Sequence, residues 1–108
     1  MMFPKDPRYE NEKLTRTAKG TPCQLQVPNV CNRDDATSVW AHSNLSRHGR
    51  GKDHKSHDCF GVIACGACHY WLDFSAFATR AEKEEAFERG RDRTLLYLFR
   101  SGKLKVVA

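Results

Sequence analysis

The segment Ala64-Cys65-Gly66-Ala67-Cys68-His69-Tyr70-Trp71-Leu72-Asp73 decides how the chain is read. Two cysteines separated by two residues can turn both thiolates toward one tetrahedral ion. The apolar run Phe60-Gly61-Val62-Ile63-Ala64 before them reads as a strand, and Gly66 onward, through Trp71 and Leu72, as a helix. Upstream, Cys23 and Cys31 offer two further thiols. Their spacing is wider than that of a standard knuckle, but an intervening strand and turn suffice to bring the sulfurs together. Cys23, Cys31, Cys65 and Cys68 are therefore the expected ligands of a closed, structural Zn2+. Cys59 is left over and is expected as a small buried hydrophobe.

The same motif has other readings. Cys65-Gly66-Ala67-Cys68-His69 matches the pattern of covalent c-type haem attachment, which needs an exported, oxidising setting and leaves Cys23 and Cys31 idle. A redox pair calls for a βαβ context that the flanking pattern lacks. Four buried thiols without metal are the remaining alternative.

Outward from the motif, residues Cys23–Val27 alternate with period two and predict a short strand, closed by a Pro28-Asn29 turn. Thr37–His42 predicts a second strand ending at or near His42. Between it and the Phe60 run lies a long polar loop, Ser43–Asp58, with three of the chain's five histidines and little to bury. Thr79-Arg80-Ala81-Glu82 is a capping box, so a second helix begins there. It carries Phe87, Leu95, Leu98 and Phe99, has a possible weak point at Gly90, and ends near Ser101-Gly102. Tyr9–Lys19 predicts a helix closed by Gly20, in an arm packed on the domain. The expected organisation is an arm at 1–20, a domain at 21–102 and a tail or edge strand at 103–108.

Composition bounds what such a chain does. With 108 residues it holds one small domain, and at 40% hydrophobic residues it supports a modest core that calls for a staple. No apolar run approaches the ~20 residues needed to cross a bilayer, so no membrane role is expected. The N-terminal residues lack the apolar stretch of a secretory signal, which makes the cytoplasm the expected location. An odd number of cysteines, 5, agrees with a reducing compartment and with metal ligation rather than disulfides. The net charge of +5 suits a polyanionic partner.

Two histidines stand where chemistry is possible. His42, at a strand end beside the loop, is placed to act as a general base near neutral pH. His69 and Asp73 lie four apart on one helix face, so the carboxylate can orient the imidazole or share a metal with it; a plain solvated pair has the same spacing. Arg47, Arg50, Lys52 and Lys55 give the loop four permanent cations for phosphate contact, with glycines at 49 and 51 allowing close approach.

The run Cys23-Gln24-Leu25-Gln26-Val27-Pro28-Asn29-Val30-Cys31-Asn32, with Ala41-His42, Ala64–His69 and Leu72-Asp73, resembles the small phage and prophage nucleases of the YbcO type. These are similar in turn to HNH (ββα-metal) endonucleases with a zinc ribbon. The resemblance implies a small zinc-stapled α+β fold, a two-stranded finger packed on a helix, with an additional C-terminal helix. It implies metal-dependent hydrolysis of DNA: His42 activating water, His69 holding Mg2+ or another divalent cation, and the four cysteines holding Zn2+. Asp58 falls near the family's middle Asn or acidic position. Where many HNH enzymes carry an acid before the first histidine, this chain has Ala41, so Asp58, Asp73 or His57 must complete the shell. The alternative is a non-catalytic zinc-ribbon module that binds nucleic acid or assists recombination.

Overall fold

The structure is a computed structural model and describes residues 7–51 and 54–107. It is a small α+β arrangement: α1 (Glu12–Arg16), β1 (Val39–His42), β2 (Gly61–Ala64), α2 (Gly66–Phe74) and α3 (Arg80–Arg100), with 3-10 turns at Asp35–Thr37 and Ser46–His48. The strands pair antiparallel, Trp40 opposite Ile63 and His42 opposite Gly61. A lone two-stranded ribbon is marginal in water, so its two faces must be covered.

Side chains alternate across the ribbon, and each set meets a different cluster. Ala41, Val62 and Ala64 pack with Cys65, Cys68 and Leu72 of the α2 region and with Phe87 of α3. On the opposite face Trp40 and Ile63 pack with Leu14 and Ala18 of the N-terminal region and Leu98 near the end of α3. His42 has the parity of Trp40 and so belongs to the second face. Gly61 is required there: a Cβ would sit 2.1 Å from the Trp40 indole nitrogen, which donates to the Asp58 carbonyl at 2.9 Å.

Three expectations need correction. Cys23–Val27 is no strand; Gln26 and Asn29 take positive φ (49° and 63°), and the segment curls so that the Gln24 and Leu25 amides both meet the Ile63 carbonyl. The N-terminal helix covers only Glu12–Arg16, because Thr15 and Thr17 turn their hydroxyls onto the carbonyls of Glu12 and Leu14 at its end. Residues 8–11 run along residues 56–58 instead.

Gly90 is no weak point: α3 passes through it unbroken, and a Cβ there would meet Leu25 Cδ1 and Val62 Cγ1 at 3.0 Å. The missing side chain lets α3 lie close on the ribbon. No strand forms among the described residues of the tail, 103–107. The capping box at Thr79 and Glu82 is present as expected.

α3 also clamps the backbone at the edge of β2. Thr94 Oγ1 accepts the Ile63 amide at 3.1 Å, and Arg93 donates to the Gln24 and Leu25 carbonyls at 2.7 and 2.8 Å. Buried backbone groups that would otherwise lack partners are thus satisfied by one helix.

Candidate functional site: a sulfur cluster and two histidine–aspartate pairs

The thiols of Cys23, Cys31, Cys65 and Cys68 lie within 4.8 Å of one another. A tetrahedral zinc with Zn–S of about 2.3 Å requires sulfurs about 3.8 Å apart, so the set fits that ion with little movement. Backbone amides converge on the same sulfurs: Gln26 on Cys23, Val27 on Cys68, Asn32 on Cys65, and Cys68 on Cys65, all at 3.4–3.5 Å. Amide donors favour the thiolate over the thiol.

The positive φ of Gln26 and Arg33 turns the chain tightly after Cys23 and after Cys31, which brings a widely spaced pair together. The Cys68 thiol beside it lowers Cys23, and Cys23 in turn, together with burial, pushes Cys68 up. Burial pushes Cys31 up as well. Cys59 is exposed, contrary to expectation, and takes no part in the cluster.

His42 stands at the end of β1 with Nε2 2.8 Å from Asp58 Oδ1. The Arg8 guanidinium reaches the same oxygen at 2.5 Å, and the Asn11 amide donates to Oδ2 at 2.7 Å. Burial alone would raise Asp58, but the Asn11 amide, the His42 hydrogen bond and the Arg8 charge together hold it below the ordinary carboxylate range. An ionised carboxylate accepts only, so Nε2 is the donor in this bond, and in the neutral ring Nδ1 is then the nitrogen with the free lone pair. His57 is likewise engaged, its Nδ1 accepting the Tyr9 amide at 2.8 Å.

His69 Nε2 lies 3.1 Å from Asp73 Oδ2 on α2, and Asn44 donates to Asp73 Oδ1 at 3.0 Å. The Asp73 hydrogen bond raises His69 against the opposing effect of burial. Asp73 is lowered first by His69, then, against burial, by Asn44 and the nearby Arg50 charge. Asp73 also lines a cleft of about 670 Å³ with Asn44, Arg47, Arg80 and Lys83.

The two pairs do not merge into one ligand set: among the described residues, only the four cysteines bring three or more candidate metal ligands together. Asp58 faces His42, Arg8 and the Asn11 amide. Ala41, where an acid was missed, is fully buried against the α2 side of the ribbon. Asn44, two residues beyond His42, is what links the pairs along the chain.

The loop is less polar in its packing than its composition suggests. His48 is buried, stacked on Phe60 with ring centroids 4.2 Å apart, and within 2.6 Å of Ser43 Oγ through Nδ1. Burial first, then the Arg47 and Arg91 charges, lower it, so it is a neutral structural histidine. Arg47 is held by Glu88 at 2.6 Å, whereas Arg50 and Lys55 are exposed. Lys52 lies outside the described residues. Sequence reasoning missed Arg8, Asn44 and Thr94. Only Asn44 left a trace, its position just past the strand-end histidine.

A ribbon and helix built around four thiols, with an oriented strand-end histidine, define a class of small cysteine-pinned α+β proteins. Within it, the chain belongs to the family described as "Putative nuclease YbcO", which it matches over residues 12–103. It is 34% identical over 93 residues to the Escherichia coli (strain K12) protein named "Putative nuclease YbcO", covering 85% of this chain and 96% of that protein. The protein of the same name from Enterobacteria phage 82 matches to the same extent. A solved structure, described as that of a putative bacteriophage protein from Escherichia coli str. K-12 substr. MG1655, superposes with a TM-score of 0.64 at 30% identity. That match covers 82% of this chain and 98% of the solved one.

Proposed function

We propose that the protein is a metal-dependent DNA endonuclease of the HNH type, with His42 as the base that activates water. The observation that carries this is the His42–Asp58 hydrogen bond at 2.8 Å, which engages Nε2 and, in a neutral ring, would leave Nδ1 to accept a proton. Membership of a family named for nuclease activity supports it, as does the net charge of +5.

In this reaction Nδ1 of His42 takes a proton from water and the resulting hydroxide attacks a backbone phosphorus in line. The P–O3′ bond breaks, leaving a 3′-hydroxyl once the departing oxygen is protonated and a 5′-phosphate on the next nucleotide. His69 and Asp73 offer one imidazole and one carboxylate, a donor set that suits a divalent cation once His69 gives up its proton. When bound, such an ion supplies charge neutralisation at the phosphate. Arg50 and Lys55, with Arg80 and Lys83 in the cleft beside Asp73, supply the cations for flanking phosphates. Arg47, tied to Glu88, contributes by ordering the loop against α3.

Plasmid nicking in low salt with magnesium or manganese tests this, wild type beside His42→Ala. Nicking that needs the ion and disappears in the variant supports the assignment; full cleavage by His42→Ala overturns it. A second reading, a zinc-pinned DNA-binding module that does not cut, is favoured by one observation: Ala41 is buried where a metal-binding acid is missing. DNA retarded on a gel without nicking under any ion would select it.

A further inference from the structure

The segment around Arg8 lies outside the span matched to the family, 12–103, yet it is built into the His42 site. Its docking is specific. The Asp58 amide donates to the Tyr9 carbonyl at 2.9 Å, the Tyr9 amide to His57 Nδ1 at 2.8 Å, and the Asn11 amide to Asp58 Oδ2 at 2.7 Å. Arg8 uses three nitrogens in three directions: Nε to the Ser56 carbonyl at 3.1 Å, Nη1 to Glu10 at 2.7 Å, and Nη2 to Asp58 Oδ1 at 2.5 Å. Nη2 also lies 3.3 Å from His42 Nε2.

We propose that Arg8 is a positioning residue for His42: its guanidinium balances the Asp58 carboxylate, so that Asp58 can orient the imidazole while the ring stays neutral and able to take a proton. The Asp58 side chain is only 6% exposed and that of Arg8 28%, so their pairing is poorly screened by solvent. A carboxylate left there without a cation is most cheaply neutralised by holding a proton on the adjacent histidine, and a histidine so held is no base. Among the described residues, the charged and titratable groups in contact with the His42 ring are Asp58 from the segment before β2 and Arg8 from the arm. Glu10 acts only through its bond to Arg8, and His57 is occupied by Tyr9. A flexible ammonium could supply the charge but not the fork that also grips Ser56.

The inference rests on the reading of His42 as a base, and two independent measurements separate the two claims. The first is imidazole nitrogen NMR of the full chain near pH 7.5. Wild type is expected to show His42 neutral with the proton on Nε2, and Arg8→Ala to show it protonated on both nitrogens. A doubly protonated or Nδ1–H ring in wild type overturns the proposal whatever the variants do, and needs no variant to fold. The second is the pH–rate profile of plasmid nicking by wild type, Arg8→Ala and Arg8→Lys, with kcat and KM separated.

Arg8→Ala is expected to lose about tenfold or more in kcat at neutral pH, the scale of losing a partner that orients a reactive imidazole, with KM little changed. Its acid limb should move to higher pH, and Arg8→Lys should recover part of the loss. An unmoved limb, or an effect confined to KM, overturns the role. If wild type does not nick, the nuclease reading fails and the NMR result alone decides what Arg8 does.

Discussion

At the scale of single residues, the site turns on which group each polar atom faces. His42 was legible because a histidine closing a β-branched and aromatic run can only sit at the end of a strand. Its partner was not, because the Asp58 bond spans 16 positions of loop and no local pattern encodes it. Arg8 is more distant still, 50 positions from the carboxylate it pairs with. The lowered Asp58 gives a signed prediction. A carboxylate whose folded value lies below its unfolded one stabilises the fold above the unfolded value of about 3.9, and that stability is lost as pH falls through the folded value. Asp58→Asn should therefore cost about 2 kcal/mol at pH 7, by losing charge-assisted bonds in a buried place. The gap between the two proteins should close as pH drops below 4. Melting temperature measured against pH checks both halves of that expectation.

At the scale of elements, what could be read was what is local. The capping box marked the start of α3, and the Cys65–Cys68 spacing marked the turn into α2, where the Cys65 sulfur accepts the Cys68 amide. The Cys23–Val27 segment was misread because its alternation reflects which residues face the cluster, Cys23, Leu25 and Val27, while positive φ at Gln26 breaks the extended chain. Gly90 was misread because propensity sees only the helix and not what the helix lies against. Gly90→Ala is expected to destabilise the protein despite a gain of about 1 kcal/mol in helix propensity. The new methyl would press on Leu25 Cα at 3.1 Å, and that backbone is pinned by Arg93 and by the Ile63 carbonyl. Denaturant unfolding should show a lower midpoint with an unchanged slope; a raised midpoint would mean that the Leu25 segment can give way.

At the scale of the whole molecule, two strands of four residues and clusters drawn from every helix make a thin core, which is why the sulfur cluster matters. Purified protein should carry close to one zinc per chain by elemental analysis, and stripping it with a strong chelator should abolish cooperative unfolding. The contribution of a structural zinc, on the order of 10 kcal/mol, equals or exceeds the whole margin of an ordinary small domain. Cys68→Ser should behave as the stripped protein does.

The order of the sulfurs along the chain carries a last consequence. Cys23 and Cys31 precede the ribbon and basic loop, Cys65 and Cys68 follow them, and the four meet at one point. With an ion bound, the stretch that bears both strands, His42, Asp58 and the loop is a closed ring pinned at its base. A protease that severed the backbone once within that ring would release nothing: the two pieces would stay joined through the metal, separating on a denaturing gel but travelling together through a sizing column.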